Sequence, residues 1–270
     1  MKVIANHAHL MPKGSWLKGD VSLLLKHMDH NSIDMAVVFP PFACQCNDSM
    51  KEANLWALKE IEPYKDRLLP AGTLFPLAPD AIDLLGFLAD EGVKWVKIHP
   101  SIDTYDIVDP RTEPFYALAE RLGMILDYHT GPHGTRLSLA SPQKFDDLAW
   151  DYPDLKFVFE HLGGRTYFED FLAIINSHSN RRKSDGKEIC VFGGLASILA
   201  PKQSMWYLGP EKVLDFIQIC GADTLIFGLD FPWNKQEQTH KDIETIKGLD
   251  ISEEDKDKIL GGNLAKLLDI

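Results

Sequence analysis

Eight short apolar runs alternate with amphipathic segments at roughly 30-residue intervals, a rhythm that predicts βαβ units around a parallel sheet. The runs are hydrophobic almost continuously rather than at every second position, which suits strands covered on both faces. The chain has 270 residues, close to the about 250 that one (β/α)8 barrel needs. Eight units in this length favour closure over an open doubly wound sheet. The predicted fold is α/β, a (β/α)8 TIM barrel, in a single domain spanning residues 1–270.

Val3–His9 opens the series as a strand and leads through a helical segment, Val21–Asn31, to the second strand, Met35–Phe39. Ser49–Ile61 then precedes Leu69–Leu74, Asp80–Asp90 precedes Val93–His99, and Glu113–Leu122 precedes Met124–His129. In the second half, Pro142–Trp150 leads to Lys156–His161, Phe168–Ser177 to Ile189–Leu195, and Pro210–Ile219 to Thr224–Asp230. Lys235–Lys247 and Glu253–Leu268 are helical segments that follow the last strand. Each strand is rich in Val, Ile, Leu or Phe and is followed by Pro, Gly, Ser, Asn or Asp. Pro79-Asp80, Ser141-Pro142 and Gly209-Pro210 place a cap residue or a first-turn proline where helices begin. The charged stretch Asn180–Lys187 reads as a solvated loop. No Gly/Ser/Pro-rich linker, sequence repeat or low-complexity tract divides the chain.

Net charge is −12, and an acidic surface repels phosphate backbones, so no nucleic-acid partner is expected. No run approaches the about 18 apolar residues of a membrane-spanning helix. Met1-Lys2-Val3-Ile4 leads straight to His7, with no signal-peptide pattern. Four cysteines are too few for a disulfide framework in a chain of this length, so a cytoplasmic, reducing setting is expected. A small-molecule substrate is the expected partner, and a homodimer, the commonest homo-oligomer, stays open.

Ten histidines are present, and they cluster. His7 and His9 end the first strand, His99 the fourth, His129 the fifth and His161 the sixth, while Asp230 ends the eighth. In a (β/α) barrel these strand ends form one rim, where active sites sit. Residues two apart on a strand share a face, so His7 and His9 can clamp one cation. Nitrogen and carboxylate donors converging from several strands suit one divalent ion, Zn²⁺ by preference, with Mn²⁺ or Fe²⁺ as alternatives. His99 reads as an outer support, a substrate contact or a satisfied strand-end residue. Lys97 shares its face and reads as a structural ion-pair partner or a substrate anchor; a carbamylated lysine bridging two metals is the rival. His27, His30, His178 and His240 read as surface or packing residues, and His133 as a loop residue near the rim. Cys44-Gln45-Cys46 has no second Cys pair and reads as a loop feature. Phe39, Phe42, Phe75, Tyr105, Trp206 and Trp233 are candidates to line an apolar pocket.

Six ordered segments carry a resemblance. They are His7-Ala8-His9, Val96-Lys97-Ile98-His99-Pro100, His129-Thr130-Gly131, His161-Leu162-Gly163-Gly164, Gly228-Leu229-Asp230-Phe231-Pro232 and the stretch from Gly262 to Leu268. Together they resemble the amidohydrolase-related branch of the amidohydrolase superfamily, often called amidohydrolase 2. That branch includes aminocarboxymuconate-semialdehyde decarboxylase and several cyclic-ester hydrolases. The resemblance implies a metal-dependent barrel enzyme in which His7, His9, His129 and Asp230 hold a single divalent metal and His161 polarises water or substrate. One departure is visible: the family commonly has Asp two residues before the first histidine, where this chain has Ala5, followed by Asn6. The outer support of His7 must then come from elsewhere.

The chemistry so implied is hydrolysis of a small lactone, amide or related C–O or C–N bond by metal-activated water. Asp230 would accept and return the proton, His161 would orient the water, and Arg136 and Arg165 would grip a substrate carboxylate. Ordinary loop arginines in surface ion pairs are the alternative for the last two. Non-oxidative decarboxylation of an aromatic or enoic carboxylate shares the same ligand set. A metal-dependent nuclease barrel is disfavoured by Lys97 and His99 where that family carries Glu, and a catalytically inactive metal-binding barrel remains a further alternative.

Overall fold

A computed structural model describes residues 2–42, 45, 49–199 and 204–270. Its core is one sheet of parallel strands: β1 (Ile4–His9), β2 (Met35–Phe39), β3 (Leu68–Thr73), β4 (Trp95–Ile98), β5 (Ile125–His129), β6 (Lys156–Glu160), β7 (Val191–Gly194), β8 (Leu225–Ile226) and β9 (Gly228–Phe231). The order is β8-β7-β6-β5-β4-β3-β2-β1-β9. β8 pairs with β7 and β9 with β1, and only Phe227 separates them. They are the two halves of the eighth predicted strand, bent at one residue, and they complete the (β/α)8 ring. At the bend, the Phe227 carbonyl accepts from the Asn6 amide (2.8 Å) and its own amide donates to Ile259 O (3.1 Å).

Between the strands lie α1 (Val21–His30), α2 (Met50–Ile61), α3 (Ala81–Asp90), α4 (Pro100–Asp103), α5 (Glu113–Arg121), α6 (Pro142–Asp151), α7 (Gly164–Ser184) and α8 (Gly209–Cys220). α9 (Gln236–Lys247), α10 (Glu253–Asp257) and α11 (Asn263–Leu268) follow the last strand. Local chemistry sets their starts. Asp20 caps α1 by accepting from the Ser22 and Leu23 amides, and Ser49 with Glu52 forms a reciprocal capping box on α2.

Two expectations change. The stretch Asn180–Lys187 is not a solvated loop throughout, because α7 continues to Ser184. Arg182 is buried there and donates to Glu188 O, Pro153 O and Asp154 Oδ1, so a residue that looks solvated by charge is tied into the turn before β7. The expected helix Glu253–Leu268 is broken between α10 and α11 by a wide turn, Lys258–Gly262. A Cβ on Gly261 would lie 2.5 Å from Lys2 O and 2.9 Å from Ile4 N, so only glycine lets this turn press on the start of β1. Asn263 then donates to Ala222 O and Leu225 O at 2.7 and 2.8 Å, pinning α11 under β8.

Strand parity divides the barrel interior into layers. The lower one is apolar: Ile4, Val37, Ala71, Trp95, Ile125, Val158, Phe192 and Ile226, plugged from below by Leu264 and Leu267 of α11. Two residues further along each strand come Asn6, Phe39, Thr73, Lys97, Asp127, Glu160, Gly194 and Gly228, the layer on which the rim residues stand. Opposite parity packs the helices: Val96, Ile98, Leu126, Tyr128, Phe157 and Phe159 belong to the outer core. No helix among the described residues is long and apolar enough to cross a membrane.

Candidate functional site

The strand ends at the C-terminal rim enclose a cavity of about 480 Å³. His7, His9, Lys97, His99, His129, His161 and Asp230 all line it, so seven of the nine residues singled out from the sequence come together. All five of these histidines are buried. Arg136 and Arg165 are exposed and do not border the cavity. Arg165 donates from Nε to Tyr207 O at 3.1 Å and lies in a separate surface depression with Glu169 and Lys212.

Regular alternation does not suffice to deliver His7, which by parity with Ile4 and Asn6 would face outward. β1 carries one extra residue against β2 between Ala5 and Ala8, and β9 one extra against β1 between Gly228 and Phe231. His7 (φ 67°) and Asp230 (φ 52°) occupy left-handed backbone at these bulges. His161 (φ 68°), Leu162 (φ 48°) and Ser197 (φ 63°) do so just beyond β6 and β7. Non-glycine residues are uncommon there, and strain of this kind gathers at functional sites. Asn6 faces inward by parity with Ile4, and the bulge in β1 sets His7 beside it rather than opposite.

The donor atoms of His7, His9 and Asp230 lie within 4.8 Å of one another. His7 Nε2 is 3.1 Å from His9 Nε2 and 3.7 Å from Asp230 Oδ1. Two nitrogens bound to one tetrahedral ion at about 2.0–2.1 Å each sit about 3.3 Å apart, so this pair fits a shared cation. Ser197 donates its hydroxyl to Asp230 Oδ2, which fixes that carboxylate with Oδ1 toward the two imidazoles. His129 Nε2 is buried without a hydrogen-bond partner, a further donor of the right chemistry. His129 groups more tightly with His99 and His133 than with the first three, and its ring centroid is 4.8 Å from that of His161.

Hydrogen bonds assign opposite tautomers to two of the imidazoles. His161 Nδ1 is 2.8 Å from Ala196 O; a carbonyl only accepts, so Nδ1 carries the proton and Nε2 is bare. His99 Nδ1 instead accepts from the Ile102 amide at 3.3 Å, capping α4, so its proton is on Nε2. Burial, followed by neighbouring cationic groups, holds His9, His99 and His129 well below the usual imidazole pKa. Burial also lowers His161, to about 4. His7 differs: burial and Lys97 push it down, but Glu160 and Asp127 outweigh them and raise it to about 9.

Lys97 is fully buried, with Nζ 2.7 Å from Asp127 Oδ1, an ion pair of the structural kind. Asp127 Oδ2 accepts from Asn6 Nδ2 (2.8 Å) and Trp95 Nε1 (3.2 Å). Sequence reasoning passed over Asp127 and Glu160. Asp127 was open to the parity argument that found Lys97, because it lies two residues before His129. His133 also borders the cavity, its ring 4.7 Å from His99 and 4.9 Å from His129. Of the six candidate aromatic residues, Phe42, Trp206 and Trp233 line the cavity. Phe39 packs beneath His7 and His9, and Phe75 packs on Tyr105. His27 and His178 are buried packing residues bonded to Thr239 and Asp146. Cys44 and Cys46 lie outside the described residues.

The amidohydrolase-2 family model, described as Amidohydrolase, matches residues 7–270. Among solved structures, the chain is similar to 5-carboxyvanillate decarboxylase LigW from Sphingomonas paucimobilis, with TM-score 0.72, 15% identity, and 100% of this chain and 99% of that one covered. It is similar to a putative 2-pyrone-4,6-dicarboxylic acid hydrolase from Pseudomonas putida, with TM-score 0.72, 16% identity and coverage of 99% and 97%. A dihydroxybenzoic acid decarboxylase from Polaromonas sp. JS666, with bound manganese and the inhibitor 2-nitroresorcinol, aligns with TM-score 0.71, 16% identity and coverage of 99% and 97%. The chain belongs to the amidohydrolase family, whose fold houses both hydrolases and decarboxylases.

Proposed function

We propose that this amidohydrolase-family chain is a metal-dependent hydrolase of a small organic substrate carrying a lactone, amide or related acyl C–O or C–N bond. The observation that carries the reading is the Asp230 carboxylate, clamped by Ser197 on one oxygen and turned with the other toward the His7–His9 pair. His7, His9, His129 and Asp230 would hold one divalent ion, zinc by preference, with manganese or iron suited to the same ligands. When bound, such an ion would supply Lewis-acid polarisation of the acyl group and bring the pKa of water down to about 7.

The protein's own groups then divide the proton work. Bare Nε2 of His161 accepts a hydrogen bond from the attacking water and aims it. Asp230 takes the water's proton as its oxygen bonds to the acyl carbon, and returns it to the leaving oxygen or nitrogen as the C–O or C–N bond breaks. His99 donates a hydrogen bond from its Nε2–H to the acyl oxygen as negative charge develops there, and keeps the proton throughout. Phe42, Trp206 and Trp233 give the substrate a flat apolar berth. Lys97, paired with Asp127, anchors the floor, and Arg136 and Arg165 have no part.

A second reading, non-oxidative decarboxylation of a small aromatic or enoic carboxylate, draws support from the likeness to two decarboxylases. Turnover of a panel of lactones, amides and aromatic carboxylates in ¹⁸O-water separates the two. Hydrolysis puts ¹⁸O into the product carboxylate. Decarboxylation releases CO2 and, in deuterated solvent, leaves deuterium on the vacated carbon. Asp230→Asn should abolish hydrolysis, and unchanged turnover in that variant would sink the proton role. A metal-loaded protein that turns over none of the panel would return the inactive metal-binding barrel to the front.

A further inference from the structure

Neither Ala5 nor Ala8 offers His7 a polar side chain from its own strand, so the far side of the imidazole must be held from elsewhere in the barrel. Glu160, the last residue of β6, is fully buried beneath the cavity. Its Oε2 accepts from Asn6 Nδ2 at 2.8 Å and lies 3.1 Å from His7 Nδ1, although the angle there is not that of a formed hydrogen bond. Its Oε1 accepts from the Ala196 amide at 3.0 Å, and the carbonyl of the same residue fixes His161. One carboxylate therefore ties together β1, β6 and the turn after β7. The room it occupies is made by Gly194, where a Cβ would lie 2.1 Å from Glu160 Oε1.

We propose that Glu160 is a positioning residue for the metal: it holds His7 with Nε2 toward the ion and places a negative charge directly behind that ligand. Asp127, 3.8 Å from His7 Nδ1, is already paired with Lys97, whereas among the described residues the ion-pair partner of Glu160 is His7 itself. A carboxylate behind a ligating imidazole raises its basicity and fixes its ring, and losing such a partner typically costs about 10–100-fold in metal affinity. The inference rests on the proposed metal site but not on the reaction catalysed there.

The test is Zn²⁺ affinity, by competition with a chromophoric chelator, for the wild-type chain, Glu160→Gln and Gly194→Ala. Glu160→Gln keeps the shape and removes the charge, and should weaken Zn²⁺ by about 10–100-fold while His161→Gln, which leaves the carboxylate in place, changes it far less. Gly194→Ala touches neither His7 nor the ion. It should nevertheless weaken Zn²⁺ as well, because its methyl group displaces the Glu160 carboxylate, an effect that a general loss of packing elsewhere in the barrel would not imitate. Wild-type affinity in a folded Glu160→Gln protein overturns the inference; if that variant fails to fold, wild-type affinity in Gly194→Ala does so instead. A wild-type chain that binds no Zn²⁺ overturns it together with the metal site. Weakened Zn²⁺ in a protein that hydrolyses nothing leaves the inference standing and removes only the hydrolase reading.

Discussion

The two interior layers of this barrel are built on the same strands, two residues apart, and they are held together differently. Below, Ile4, Val37, Trp95, Ile125, Val158, Phe192 and Ile226 meet α11 as a packed apolar plug. Above, Asn6, Lys97, Asp127 and Glu160 are equally removed from water but must satisfy one another. An apolar side chain in a core loses contacts in proportion to the atoms removed. A buried ion loses its whole compensation when one partner goes. The lower layer therefore tolerates small changes, and the upper layer turns small changes into large ones.

Lys97→Met is the sharpest way to break that comparison. It keeps the volume and removes the lysine partner of Asp127, leaving a buried carboxylate with the hydrogen bonds from Asn6 and Trp95 and with His7 Nδ1 at 3.8 Å. The expected loss is about 3–5 kcal/mol of stability, read by urea or thermal unfolding. A loss below about 1 kcal/mol would mean that the upper layer is held by packing like the lower one.

Removing the proposed metal should come next. An ion that binds only the native state at 100 times its Kd stabilises by about 2.7 kcal/mol. Chelation should lower Tm accordingly in the wild-type chain and leave a His7→Ala/His9→Ala variant unmoved. Equal shifts in both proteins would detach the metal from the rim.

How far each layer was legible in the sequence follows from the same parity. Period-two spacing carried His9, Lys97 and His99 to the right face, and it would have carried Asp127 by the same step from His129. The bulges could not be read, because one extra residue changes register without changing composition; the one in β1 turns His7 into the mouth through left-handed backbone. The bend at Phe227 was hidden in an unbroken apolar run. Glu160 sits next to His161, so by alternation it belongs to the opposite face; only the left-handed backbone at His161 lets both point inward. His133 required the path of a loop, which no periodicity records.

His99 offers a finer comparison within the upper half, between a structural and a chemical use of one ring. Asn reproduces the Nδ1 side of histidine and can still accept from the Ile102 amide to cap α4, but it does not reach the position of Nε2. Gln reaches that position with an N–H and gives up the cap. His99→Asn should fold normally and lose about 10–100-fold in kcat, since a donor to developing charge acts mainly in the transition state. His99→Gln should retain more turnover at some cost in stability. The reverse order would make His99 a capping residue alone.

The smallest effect is expected where the lower layer is trimmed. Ile125 stands on β5 two residues below Asp127, fully within the apolar plug. Ile125→Val removes one methylene and should cost about 0.5–1.5 kcal/mol. Because no hydrogen bond of the charged layer passes through Ile125, Zn²⁺ affinity and any measured turnover should stay at wild-type values. A drop in affinity without a larger loss of stability would show that the plug sets the height of Asp127 and, through Asn6, of His7, so that the two layers act as one.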